Sequence, residues 1–130
     1  MSYSGQQILL VDDDPDFIEI YSATFRAADF NFSIAKNGPE AIEKATTEKP
    51  ALILLDLMLP NIDGFEVLKR LKQSPETAAI PVWMITNLAE QLNQTIATSL
   101  GAADYLVKAS VTPQQVCEKI KGSFEPPTIS

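Results

Sequence analysis

Apolar residues fall along this chain in short unbroken runs, and each run stops on a polar side chain. Leu52-Ile53-Leu54-Leu55 ends on Asp56, Ile8-Leu9-Leu10-Val11 on Asp12 and Asp13, Val82-Trp83-Met84-Ile85 on Thr86, and Tyr105-Leu106-Val107 on Lys108. Runs this short, bounded by turn signals, predict strands buried on both faces rather than helices. A fifth segment differs. Phe30, Phe32 and Ile34 alternate with Asn31, Ser33 and Ala35, the period expected of a half-exposed edge strand.

Between the strands the apolar spacing becomes helical. Asp14 stands where an N-cap belongs and Pro15 at the first helical position, followed by Phe17, Ile20, Tyr21 and Phe25, so the first helix should run to about Ala28. Gly38-Pro39 opens a second helix through Ala41, Ile42 and Ala45, ending near Lys49-Pro50. The loop Pro60-Asn61-Ile62-Asp63-Gly64 carries turn residues throughout. Phe65, Leu68 and Leu71 give the third helix its buried stripe, stopped by Ser74-Pro75; Leu88, Leu92, Ile96 and Leu100 mark the fourth, capped by Gly101. Thr112-Pro113-Gln114-Gln115 supplies a capping box for the fifth, with Val116, Ile120 and Phe124 on one face.

Strict alternation of strand and helix predicts an α/β fold, a doubly wound parallel sheet of five strands with helices on both faces. Right-handed crossovers and an edge-like second strand give the order 2-1-3-4-5, which is flavodoxin-like. Strands one and three are then neighbours at the switch point, where ligands of open α/β sheets bind. Asp12 and Asp13 are thereby set beside Asp56. Residues 1–124 read as one domain, and 125–130, beginning Glu125-Pro126-Pro127, as a frayed tail or the start of a linker.

Composition narrows the chemistry. At 130 residues the chain can bury a core without disulfides or structural metal. A single cysteine, Cys117, cannot pair within the chain, and the reading is a small, partly buried residue in a reduced compartment. The start lacks the basic and apolar segments of a signal peptide, and no run is long enough to span a membrane, so a soluble cytoplasmic protein is expected. The net charge of -7, with acids at Asp12, Asp13, Asp14 and Asp16, argues against direct nucleic-acid binding and for a cation. The absence of histidine removes the commonest general base and zinc ligand.

Three carboxylates meet a hydroxyl and an ammonium at one sheet edge; clustered anions repel unless a cation sits among them, and hard oxygen ligands with no nitrogen or thiolate select magnesium or calcium over zinc. Such a site suits phosphoryl transfer with a carboxylate as nucleophile. Asp56, alone on the central strand, is the natural attacking group, with Asp12 and Asp13 holding the metal, Lys108 pairing with the phosphoryl group and Thr86 donating to it. Asp14 and Asp16 read as caps, and Trp83, Met84 and the Met58 side chain as packing residues. The fourth helix exposes Gln91, Asn93, Gln94 and Thr98, either an ordinary solvent face or a partner surface.

Val11-Asp12-Asp13, Asp56 with Pro60 and Asp63-Gly64, Thr86, and Gly101-Ala102-Ala103-Asp104-Tyr105-Leu106-Val107-Lys108 together resemble the receiver (CheY-like) domain of two-component response regulators over essentially the whole chain. The resemblance implies that Asp56 accepts a phosphoryl group from a sensor histidine kinase or histidine phosphotransfer protein. It implies a magnesium (or manganese) ion held by Asp12, Asp13, Asp56 and the backbone carbonyl of Met58, phosphoryl contacts from Thr86 and Lys108, and Tyr105 as the switch aromatic. An output domain or partner would read the face of the fourth helix, strand five and the last helix.

This chain departs from the family's pattern at two positions. Asn87 stands where a small residue usually follows the switch hydroxyl, so it would either crowd the phosphoryl group or offer it another donor. Ala109 stands where a proline usually follows the lysine in a cis peptide. A cis bond before a non-proline residue costs ~2.5 to 4 kcal/mol, so either the bond is trans with Lys108 placed differently or the fold sustains strain. Competing classes are a degenerate receiver that only binds partners, a haloacid-dehalogenase-type phosphatase and a flavin module. The phosphatase would want an Asp where Met58 stands, and the flavin module would want a phosphate loop where the first acids stand.

Overall fold

The computed structural model describes residues 6–124; the expected tail at 125–130 and the chain start at 1–5 lie outside the described residues. Five strands, β1 (Gln7–Val11), β2 (Asn31–Ala35), β3 (Leu52–Leu55), β4 (Val82–Thr86) and β5 (Asp104–Val107), alternate with five helices. These are α1 (Pro15–Ala27), α2 (Gly38–Glu48), α3 (Gly64–Gln73), α4 (Gln91–Ser99) and α5 (Pro113–Phe124). All strand pairs are parallel, in the order β2-β1-β3-β4-β5. The doubly wound flavodoxin-like fold expected from the alternation is the fold observed.

Side chains alternate across a strand, and the two faces of this sheet make two cores. Leu9, Val11, Ile53, Leu55, Val82 and Met84 pack on α2, α3 and α4 through Ala41, Ala45, Val67, Leu68, Leu71 and Ala97. Ile8, Leu10, Leu52, Leu54, Trp83, Ile85 and Leu106 pack on α1 and α5 through Tyr21, Phe25, Val116, Cys117 and Ile120. Burial on both faces explains why three strands read as unbroken apolar runs. β2 is an edge, yet Phe32, Ser33 and Ile34 are all half-buried. Both α1 and α2 lean on this strand, so its alternating sequence does not become a clean inside and outside.

The helix starts follow their local chemistry. Asp14 caps α1 by accepting the Asp16 amide at 3.0 Å, with Pro15 at the first position. Asp63 caps α3 by accepting the Glu66 amide at 3.0 Å. Thr112 and Gln115 form the reciprocal box of α5, Thr112 Oγ1 accepting the Gln115 amide at 3.1 Å and Gln115 Oε1 the Thr112 amide at 2.9 Å. Thr112→Ala should therefore cost about 1 kcal/mol, read as a lower urea midpoint with an unchanged slope. No loss of stability would show that solvent replaces the box. Gly101, at φ 104°, ends α4 in the left-handed region that favours glycine.

Several expectations need correction. Leu92 is 68% exposed and Ile20 54% exposed, so neither belongs to a buried stripe. α4 begins at Gln91, and Leu88 reaches the core from the loop before it. In α3, Val67 is fully buried where Phe65 is only partly so. The Met58 side chain is 59% exposed and packs in neither core, unlike Met84 and Trp83. Cys117 is buried and free. No described helix is long and apolar enough to cross a membrane.

Candidate functional site

Strand parity decides which polar residues share a face at the sheet's carboxyl edge. Asp12, Asp56 and Lys108 continue the phase of Leu10, Leu54 and Leu106, the α1/α5 side; Thr86 and Tyr105 fall on the phase of Met84, the α4 side. Pairing of Val11 with Leu55 sets the two acids side by side. The last ladder bonds fix them: the Asp12 amide donates to Ala35 O at 3.0 Å and the Asp56 amide to Val11 O at 3.1 Å.

Lys108 closes the group across 96 residues of sequence. Its Nζ donates to Asp12 Oδ2 at 2.7 Å and to Asp56 Oδ2 at 3.3 Å, and its side chain is only 12% exposed. The remaining carboxylate oxygens serve the loops: Asp12 Oδ1 accepts the Asp14 amide at 2.9 Å, and Asp56 Oδ1 the Met58 amide at 3.2 Å. Asp13 lies exposed at the mouth. One oxygen each from Asp12, Asp13 and Asp56 lies within 4.8 Å of the others, a spacing that could hold one cation. A hard, oxygen-only set of this kind fits magnesium, which takes one or two carboxylates and keeps waters.

Burial and charge pull against each other here. Burial pushes the Asp12 carboxyl above its ordinary value, against the hydrogen bonds from Lys108 and the Asp14 amide that favour its charged form. Burial alone would lower the Lys108 ammonium, but the hydrogen bond and charge of Asp12, then the Asp56 carboxylate, outweigh it and raise the group. Lys108 therefore remains a cation in this pocket. No described peptide bond is cis. The Lys108–Ala109 bond is trans, and the lysine enters the site from a single 3-10 turn over Lys108–Ser110.

On the other face, Thr86 is buried and its Oγ1 accepts the Leu88 amide at 3.4 Å. The Tyr105 hydroxyl donates to the Leu88 carbonyl at 2.5 Å. Burial, with Glu90 and Asp56 nearby, raises the Tyr105 hydroxyl, so it stays a donor. Asn87, the next residue, is exposed.

Two contributors escaped the sequence reading. Gly64, quoted only as part of a motif, lies so close to the acid loop that a Cβ there would sit 2.3 Å from Asp56 O and 2.7 Å from Leu57 Cα. Phe17, read as plain core, carries the Lys108 ammonium 4.1 Å above its ring centroid. Its place in the first turns after Asp12 was the available signal.

Residues 8–121 match the family model described as response regulator receiver domain. The alkaline phosphatase synthesis transcriptional regulatory protein PhoP of Bacillus subtilis (strain 168) is 36% identical over 117 residues, covering 90% of this chain and 48% of PhoP. A response regulator receiver domain protein (CheY-like) from Methanospirillum hungatei JF-1 superposes with a TM-score of 0.82 at 28% identity, covering 91% of this chain and 92% of that one. The BeF3-activated N-terminal receiver domain of Klebsiella pneumoniae RstA gives 0.81 at 28% identity, covering 89% and 96%. The chain spans about half the length of curated relatives such as PhoP, and 22% of response regulator PleD of Caulobacter vibrioides.

Proposed function

The chain belongs to the response regulator receiver domains of two-component systems, and from that membership we propose that it takes up one phosphoryl group, on Asp56, and passes the change to a partner. The observation that carries this reading is the buried Asp56 carboxylate at the central strand's end, 3.3 Å from a lysine ammonium and within cation-sharing distance of two further acids. A carboxylate oxygen of Asp56 attacks the phosphorus of a phosphohistidine on a sensor kinase or histidine phosphotransfer protein. The phosphorus–nitrogen bond breaks, its electron pair stays on the ring nitrogen, and that nitrogen takes a proton from water. Asp56 becomes an acyl phosphate.

Lys108 is placed to follow the charge. It sits closer to Asp12 than to Asp56 before transfer, and three phosphoryl oxygens on Asp56 would give its donors a stronger partner. Asp12, Asp13, Asp56 and the Met58 carbonyl would hold magnesium, or manganese in its place, which when bound neutralises the oxygens of the transferring group. We place the reaction in the cytoplasm and read the domain as a signalling phosphoacceptor that promotes its own phosphorylation and slow dephosphorylation. The net charge of -7 is unfavourable for direct contact with nucleic acid, so an output domain or partner would do any such binding.

The readout would run through Leu88. Its amide reaches Thr86 only weakly, at 3.4 Å, and its carbonyl holds Tyr105, so a Thr86 hydroxyl drawn to the phosphoryl group frees one end of this link. Tyr105 and α4 then settle into a second arrangement whose population depends on the difference in contacts between the two states. The face of α4, β5 and α5, with Gln91, Gln94 and Thr98 exposed on it, changes shape for a partner.

Acetyl phosphate, offered with magnesium and with chelator, tests the first step by intact mass. Uptake of one phosphoryl group is expected, lost in Asp56→Asn and in chelator. Uptake that persists in either sinks the assignment, and no uptake at all in the unmutated protein leaves a module that only binds partners. The second step is tested by Thr86→Ala. Phosphorylation should survive while the amide shifts it causes in residues 88–108 shrink. Shifts of full size in that variant would rule out this route.

A further inference from the structure

The trans Lys108–Ala109 bond leaves open what aims the lysine, since Ala109 is exposed and the turn over Lys108–Ser110 is short. We propose that Phe17 is the positioning residue for Lys108, its ring face holding the ammonium over the acids from the α1 side; the consequence for transfer rests on the phosphoacceptor reading above. Nζ lies 4.1 Å from the ring centroid, well inside the range at which a ring's negative face attracts a cation. The same nitrogen donates to Asp12 and Asp56. The ammonium is thus held between two carboxylates and one π face.

The ring is itself braced. Asp14 and Pro15 fix where α1 begins, hence where Phe17 stands. Behind it, Phe17 stacks on Tyr21 with centroids 4.3 Å apart and planes 26° from parallel. Tyr21 is buried and meets the fully buried Phe25 edge-on, with centroids at 5.9 Å. The lysine stem is long and flexible, so a rigid platform on the neighbouring helix can do what a short exposed turn does not. Simple apolar cover of the stem is the competing role, and a leucine would supply it equally well.

The test uses the full chain carrying Phe17→Leu, Phe17→Tyr, or pentafluorophenylalanine at position 17, which keeps the ring's shape and reverses the charge of its face. The first readout is the nitrogen-15 signal of the Lys108 ammonium in metal-free protein, visible only while proton exchange is slowed by a fixed geometry. It should vanish in Phe17→Leu and in the fluorinated protein and persist in Phe17→Tyr. The second is the initial rate of phosphoryl uptake from acetyl phosphate, expected to fall about fivefold in Phe17→Leu and in the fluorinated protein and to stay near wild type in Phe17→Tyr. If Phe17→Leu fails to fold, the fluorinated protein decides. An ammonium signal retained with the face reversed, or a rate there within about twofold of wild type, overturns the proposal. Absence of uptake in the unmutated protein would count against the phosphoacceptor reading alone, because the ammonium signal is read without transfer.

Discussion

Lys108→Met should lower the stability of the metal-free protein by about 3 kcal/mol near neutral pH, and the loss should shrink as the solution is acidified. Removing one member of a buried ion pair typically costs about 3 to 5 kcal/mol, because the partner charge stays buried without compensation. The lower end applies here, since the site opens to solvent on the Asp13 side. In the folded wild type Asp12 binds its proton more tightly than in the unfolded chain, because burial raises it above 3.8. Its ionisation therefore costs stability as pH rises from that ordinary value through the raised one. Loss of the Lys108 hydrogen bond raises Asp12 further and widens the costly window upward.

Lys108 has the opposite sign. Its raised value means that its stabilising contribution is complete below 10.5 and is lost only above that, as pH passes its folded value. The Lys108 ammonium is thus charged throughout the acid-to-neutral range, and the pH dependence there comes from Asp12. Urea melts in chelator at about pH 4 and about pH 7 should show a small difference between the two proteins at the lower value and the full difference at the higher. A penalty independent of pH would mean that the methionine fails by packing and not by charge.

Gly64→Ala is expected to cost about 2 to 4 kcal/mol and to slow phosphoryl uptake as well. Helix propensity alone points the other way, since alanine is favoured over glycine by about 1 kcal/mol inside a helix. Space decides. The added methyl would lie 2.3 Å from the Asp56 carbonyl oxygen and 2.7 Å from Leu57 Cα, both backbone atoms. Overpacking that forces side chains off their rotamers and shifts backbone costs about 1 to 3 kcal/mol, occasionally more, and here the backbone carrying Asp56 must move. The Gly64 amide, which donates to Leu57 O at 2.9 Å, would move with it. A variant with wild-type stability and uptake would show that the β3–α3 loop is softer than its contacts indicate.

The three central strands and the acid pocket were legible because burial on both faces leaves no polar residue in their interiors, so the first polar residue marks the sheet edge; β5, expected to be buried on both faces, is instead an edge strand with only Leu106 buried. The β1–β3 neighbourhood then follows from topology, and Asp12, Asp13 and Asp56 need nothing more to meet. Helix faces were read less well. Ile20 precedes Tyr21 by one residue, about 100° around the helix, which takes it off the row of Phe17, Tyr21 and Phe25. Leu88 and Leu92 fit a four-residue spacing with Ile96, but one belongs to a loop and the other to solvent, since α4 buries only Ala97 completely. Contacts made across the fold were hidden for a different reason. The Lys108 ammonium reaches from beyond the end of β5 to Phe17 on α1, and no local period records that meeting. The Gly64 approach to Asp56 likewise depends on how tightly one turn closes.

The most direct measurement locates the phosphoryl group itself. Protein treated with acetyl phosphate and magnesium is reduced with borohydride, which converts an aspartyl phosphate to homoserine, and the peptides are sequenced by mass spectrometry. Homoserine at position 56, absent when the donor or the metal is withheld, is the predicted result. Homoserine at Asp12 or Asp13, or modification that appears equally without magnesium, would contradict the assignment of Asp56 as the phosphoacceptor.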